Sequence, residues 1–289
     1  MTPAPGTSGG SPGPGAPGEG AGRGPGPGPG GPGRGPGALA LAVRLRLAGV
    51  RPGARLLVHA ALGGTGLDAQ TLREALTGVL GPRGTLVVPA FTAENSITSD
   101  AHLARIEGMT GEEVRLFRER MPGFHPERTP SSRMGALAEA VRTAPGAFRS
   151  AHPQTSFAAL GRDAGRLCAE HRISCHLGED SPLGSLCWEG GQVLMINVGF
   201  EVCTAFHLAE YRIPKPPLRM YACVVNLPGG DQWTEFEDVA LDDSDFGQIG
   251  KEFPESLVRR GRVGGADTML FSLHDAVEHA LAWMAENRR

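Results

Sequence analysis

Apolar and polar positions alternate along this chain in two different rhythms. ALALAVRLRLAGV (38–50) predicts a helix closed by Gly49. The short apolar run Leu56–Leu62, bounded by Gly and Pro, predicts a buried strand. DAQTLREALTGVLGPRG (68–84) returns to helical spacing, with Asp68 as cap and apolar residues at 72, 76, 79 and 80. TLVVPAF (85–91) predicts a second buried strand. Strand, helix and strand joined by short links are the signature of a parallel or mixed sheet.

Residues 92–134 are weakly patterned and polar, and predict loops and short helices. SSRMGALAEAVRTAPG (131–146) predicts a helix capped by Ser131 or Ser132, with an apolar face at 134, 137 and 141. Strands are expected at 156–161 and 191–200, with a helix over 163–171 between them. Ser181 followed by Pro182 predicts a capped helix start. Residues 204–212 predict a helix, 218–227 and 231–240 a β-hairpin turning at Pro228-Gly229-Gly230, and 274–289 a terminal amphipathic helix. The fold class expected is α/β: one domain around a mixed or parallel central sheet.

Composition divides the chain. Residues 1–37 contain 26 Gly or Pro and almost no apolar side chain, so a disordered tail is expected there and a folded unit over 38–289. The net charge of −3 argues against binding nucleic acid by phosphate neutralisation. No run of 18 apolar residues suggests a membrane span, and no apolar leader segment is visible. The five cysteines, odd in number and without a CxxC, argue against a disulfide framework or a metal site. A reduced, cytoplasmic chain is expected.

Chemistry concentrates after the strand GQVLMINVG. Thr204, His207 and Glu210 fall at spacings of three, on one face of the following helix. A carboxylate beside an imidazole fixes its tautomer and raises its basicity, which suits a general base. A solvated helical histidine is the bland alternative. VHAALGGTG (58–66) is a strand running into a glycine turn, whose N–H groups could hold a phosphate or a cofactor arm, or could simply form a tight turn. In RSAHPQTS (149–156), Arg149, Ser150, His152 and Ser156 offer donors for a phosphate or pantetheine chain, unless the segment is an ordinary polar loop. The acidic stretch 235–253, with Asp238, Asp242 and Asp243, is either a solvated loop or a lip that gathers a polycation. Cys203 could serve as a nucleophile with His152 or His207 as base, the arrangement of a cysteine hydrolase.

In this order, VHAAL, GPRGTLVVPAF, RSAHPQTSFAALG, SPLGSL, VLMINVGFEVCTAFHLAE and VGGADTMLF resemble the aminoglycoside 3-N-acetyltransferases, the antibiotic N-acetyltransferase family, over about residues 40–289. The resemblance implies an α/β fold distinct from the GNAT fold, whose own pattern occurs only at Arg23–Gly28. It implies transfer of acetyl from acetyl-CoA, without a metal, to an amino group (3 or 3″) of a 2-deoxystreptamine antibiotic such as kanamycin, and hence resistance. The implied catalytic residues are His207 as general base, with Thr204, Glu201 and Glu210. The implied CoA site is His59, Ala60, Ala61 and Leu62 with Arg149, Ser150, His152 and Ser156. Glu210, Asp238, Asp242 and Asp243 are expected to bind the acceptor, and a monomer or homodimer is expected. Two positions depart from the family pattern: Ala61 stands where it has Ser, and Glu201 where it has Asp. An N-acetyltransferase acting on another amine in a secondary-metabolite pathway is the alternative.

Overall fold

The apolar runs pair as strand–helix–strand spacing predicts. The computed structural model describes residues 37–288. Helix α1 (Ala38–Leu47) leads to β1 (Arg55–Ala60), α2 (Ala69–Leu80) and β2 (Thr85–Pro89). The polar middle forms α3 (Asp100–Ile106) and α4 (Gly111–Glu119), followed by α5 (Gly135–Arg142). Next come β3 (Phe148–Arg149), β4 (Phe157–Gly161), α6 (Ala164–Ala169), α7 (Pro182–Trp188), β5 (Gln192–Ile196) and α8 (Ala205–Arg212). The hairpin β6 (Leu218–Leu227) and β7 (Gly230–Val239) precedes α9 (Phe246–Glu252), β8 (Arg259–Val263), β9 (Ala266–Ser272) and α10 (Leu273–Asn287).

Seven strands form one mixed sheet in the order β3-β4-β2-β1-β5-β9-β8, and β6 and β7 form a separate pair. β1 runs parallel to both β2 and β5. The outer pairings β2–β4, β5–β9 and β8–β9 are antiparallel. Leu57, Val87, Val193 and Met195 face one layer, packed with α6, α7, α8 and α10; Leu56, Val58, Leu86, Val88, Leu194 and Ile196 face the other, packed with α1, α2 and α5. This two-sided burial is why the central strands read as continuous apolar runs.

Two of the caps read from the sequence form. Asp68 accepts the Thr71 N–H at 2.8 Å, and Ser181 accepts the Leu183 N–H at 3.2 Å with Pro182 at the first helical position. Ser131 and Ser132 do not cap α5. Gly135, at φ 82°, interrupts helical backbone after them, and their hydroxyls bond Glu139 and Glu94 instead. The acidic stretch is not one loop: it divides into the end of β7, a short turn and α9. The tail expected over 1–37, and the Arg23–Gly28 string, lie outside the described residues except for Gly37. Among the described residues no helix is long and apolar enough to cross a membrane.

Candidate active site

β1 and β5 lie side by side and parallel, and the chain leaves them toward opposite sides of the sheet. A cleft of about 380 Å³ opens beyond their carboxyl ends, where ligands of open α/β sheets bind. His59, Ala60 and Ala61 line it from β1, and Val198, Glu201 and Thr204 from the turn between β5 and α8. Arg133, Met134, Asp243 and Phe246 complete the walls with His207. Asn197, in the left-handed region at φ 54°, donates its side-chain amide to the Ala61 carbonyl at 2.8 Å. The Ala61 N–H donates to the Ile196 carbonyl at 3.0 Å. These two bonds latch the strand ends and leave the Ala61 N–H without a role toward a ligand. Leu62 lies outside the cleft lining, its carbonyl accepting from Thr65.

Helix α8 delivers the central pair. The His207 Nδ1–H donates to Glu210 Oε2 at 2.7 Å. An ionised carboxylate only accepts, so the ring proton sits on Nδ1 and the lone pair is on Nε2. Nδ1 is thus committed to Glu210, and Nε2 is the nitrogen left for the cleft. The ring packs against Phe246, centroids 4.6 Å apart. Glu210 is 2% exposed, and its other oxygen accepts from the Asp242 N–H at 3.0 Å and from Arg288 Nη1 at 2.5 Å. Thr204 stands at the start of α8 with no side-chain cap bond, so its hydroxyl is open to a ligand.

Other expected residues sit differently. Glu201 lines the cleft but makes no hydrogen bond to His207; it folds back to accept the Gly199 N–H at 3.1 Å. Gly199 permits this, since a Cβ there would meet Glu201 Oε2 at 2.2 Å. Asp243 lines the cleft and Asp242 is exposed beside it. Asp238 is buried, and one of its oxygens accepts from the His176 ring at 2.6 Å and the Tyr211 hydroxyl at 2.7 Å, so it belongs to the interior and not to an acidic lip. His59 is pushed down to about 4 by burial, which keeps its imidazole neutral, and its Nε2 has no partner.

The 149–156 segment turns inward. Ser150 shares a hydrogen bond with His171 at 2.9 Å, and Ser156 donates to the Ala90 carbonyl at 2.9 Å. His152 Nε2 bonds the Ile173 carbonyl at 3.0 Å. Arg149 bonds the Pro126, Thr129 and Ala90 carbonyls and lies over the Phe124 ring. None of the four lines the cleft; their polar atoms are taken up by the His171 ring and by the Ala90, Pro126, Thr129 and Ile173 carbonyls. Cys203 is fully buried in the core and its thiol is pushed up to about 12 by burial, so it is no thiolate nucleophile. Among the described residues no group of three or more His, Cys, Asp or Glu could hold a metal ion.

Three contributors have no clear signal in the sequence. Arg133 carries a left-handed backbone, φ 58°, at the cleft wall. Phe246 comes from α9, hidden within an acidic stretch. Arg288 reaches Glu210 across 78 positions of sequence.

An imidazole backed by a buried carboxylate stands at the carboxyl ends of a mixed α/β sheet, an arrangement with the chemistry of a general base. The chain belongs to the aminoglycoside 3-N-acetyltransferase family, whose model matches residues 57–285, and it is therefore an acyltransferase. It is 33% identical over 244 residues to the SPbeta prophage-derived aminoglycoside N(3')-acetyltransferase-like protein YokD of Bacillus subtilis, covering 83% of this chain and 89% of the relative. The YokD crystal structure matches with a TM-score of 0.81, over 87% of this chain and 94% of that one. A structure of AAC-IIIb binary with CoASH matches at 0.75 and 30% identity, over 87% and 97% of the two chains. AAC-VIa bound to sisomicin matches at 0.73 and 28% identity, over 88% and 99%.

Proposed function

We propose that the domain over 38–289 transfers acetyl from acetyl-CoA to the 3-amino group of a 2-deoxystreptamine aminoglycoside of the kanamycin type, directly within a ternary complex, and so protects a cell from the antibiotic. The observation that carries this reading is the His207–Glu210 pair, whose open Nε2 belongs to a cleft walled by both apolar and acidic residues. The thioester supplies an activated acetyl group: the amine nitrogen bonds the carbonyl carbon, the carbon–sulfur bond breaks, and free thiol is released. His207 Nε2 takes the proton lost by the attacking nitrogen and passes it on to the departing sulfur. Glu210 holds the ring and balances its transient positive charge. The Thr204 hydroxyl donates to the carbonyl oxygen as negative charge develops there.

The fit of the residues supports both substrates. Ala60, Ala61, Met134 and Val198 offer an apolar wall suited to a pantetheine arm. Arg133, the one Arg or Lys lining the cleft among the described residues, suits a phosphate. Glu201 and Asp243, with Asp242 beside them, suit a polycationic acceptor. His207→Ala is expected to lower kcat by about 10²–10⁴-fold, the usual worth of a general base, with the fold and CoA binding intact. Retention of a third of the activity would remove His207 from the role.

A further inference from the structure

Arg288, which follows α10, is built into the back of the catalytic pair. Its Nη1 donates to Glu210 Oε1 at 2.5 Å. Its Nε and Nη2 fork onto the two oxygens of Asp245 at 2.7 and 2.6 Å, and Nη2 also donates to the Asp242 carbonyl at 2.7 Å. Asp242 in turn gives its N–H to Glu210 at 3.0 Å. Asp245 immediately precedes α9, whose first residue Phe246 packs on the His207 ring. One guanidinium therefore joins α8, α9 and the end of α10 around a carboxylate that is 2% exposed. Burial opposes the Arg288 charge, but the bonds to Asp245 and Glu210 outweigh it and hold the group above the usual arginine range.

We propose that Arg288 is a positioning residue for the general base: it balances the buried Glu210 carboxylate and aims it at His207 Nδ1, so that Nε2 is left to accept a proton. The inference rests on the reading of His207 as base. A buried carboxylate without a counter-charge is costly, and it recovers stability by drawing positive charge to itself. With Arg288 in place, Glu210 is already balanced and need only accept the Nδ1 proton. Without Arg288, a net negative charge faces the imidazole and favours imidazolium, which cannot accept a proton. Of the other charged or titratable side chains around the pair, only Asp245 also loses a bond to Arg288. These groups are Asp242, Asp243 and Asp245 before α9, Glu201 after β5, Arg133 before α5, His59 on β1, His176 before α7 and Tyr221 on β6.

The test is the titration of the His207 ring in the full chain, followed by nitrogen-edited NMR and assigned with His207→Ala. Arg288→Gln should move the His207 midpoint upward by about one pH unit, the low end of what an adjacent opposite charge does to its neighbour. Arg288→Lys keeps the charge and should hold the midpoint within about 0.3 unit. An unmoved midpoint in the Gln variant, or an equal shift in the Lys variant, would overturn the proposal. Should the Gln variant not fold, Arg288→Met, which keeps the alkyl stem without the charge, takes its place under the same limits. The acid limb of kcat/KM should move with the NMR midpoint, leaving activity recoverable at high pH, whereas a merely structural loss would lower the whole profile without displacing it. The NMR readout needs no substrate, so it judges Arg288 even if the chain fails to acetylate aminoglycosides.

Discussion

Glu210 owes its position to three residues drawn from different parts of the chain, and only one of those contacts was legible. The spacing of His207 and Glu210 placed them on one helical face, and the 2.7 Å contact follows from it. The Asp242 and Arg288 contacts depend on where α9 and α10 dock, which no local pattern encodes. The cysteine was legible as a position but not as an environment. Cys203 is four residues before His207, yet it points into the core, where burial pushes the thiol up to about 12. Cys203→Ala is accordingly expected to retain activity within about threefold, since no thiolate takes part; abolished turnover in a folded variant would restore the hydrolase mechanism. The motif RSAHPQTS was likewise visible as a cluster of donors. Whether donors face a ligand or the protein's own acceptors depends on loops distant in sequence, here those carrying Pro126, Thr129, His171 and Ile173.

Elements were legible in proportion to how far they are buried. β1, β2 and β5 are apolar runs closed on both faces, so their spacing alone reveals them. β8 reads RRGRV and is mostly exposed at the sheet edge, so it lacks an apolar signature. α9 carries Gly247 and Gly250, weak helix formers, and its packing explains the second of them. A Cβ on Gly250 would meet Phe200 Cβ at 2.1 Å, so α9 can approach the turn after β5 only with glycine there. Gly250→Ala should therefore cost about 1–3 kcal/mol, the usual penalty of overpacking. It should also lower kcat, because the displaced helix carries the Phe246 wall of His207. Urea unfolding beside steady-state kinetics checks both, and an unchanged midpoint would show that α9 is not held by this contact.

For the molecule as a whole, a parallel βαβ centre was legible, and the antiparallel flanks were not. The short strands β3 and β8, and the reversal of β9 against β5, depend on long-range pairing. Charge burial also acts at this scale. Burial pushes His59 and His171 from the ordinary 6.5 down to about 4, and lowers His152 and His176 as well. Between those values the unfolded chain binds more protons than the folded one, so stability is full above about pH 6.5 and is lost as pH falls toward 4. Calorimetry from pH 7 to 4.5 should show Tm falling by about 5 °C or more. A flat Tm over that interval would mean that these imidazoles are not held neutral.

The proposed reaction is an acetyl transfer run by His207 of α8, in the cleft beyond β5. It is tested most directly by thiol release from acetyl-CoA with the full chain, across kanamycin, gentamicin, neomycin and simple amines, beside the His207→Ala variant. Release is expected with the aminoglycosides alone, reduced by about 10²-fold or more in the variant. Silence with every aminoglycoside while a simple amine is acetylated would contradict it, and would assign the same fold to another amine.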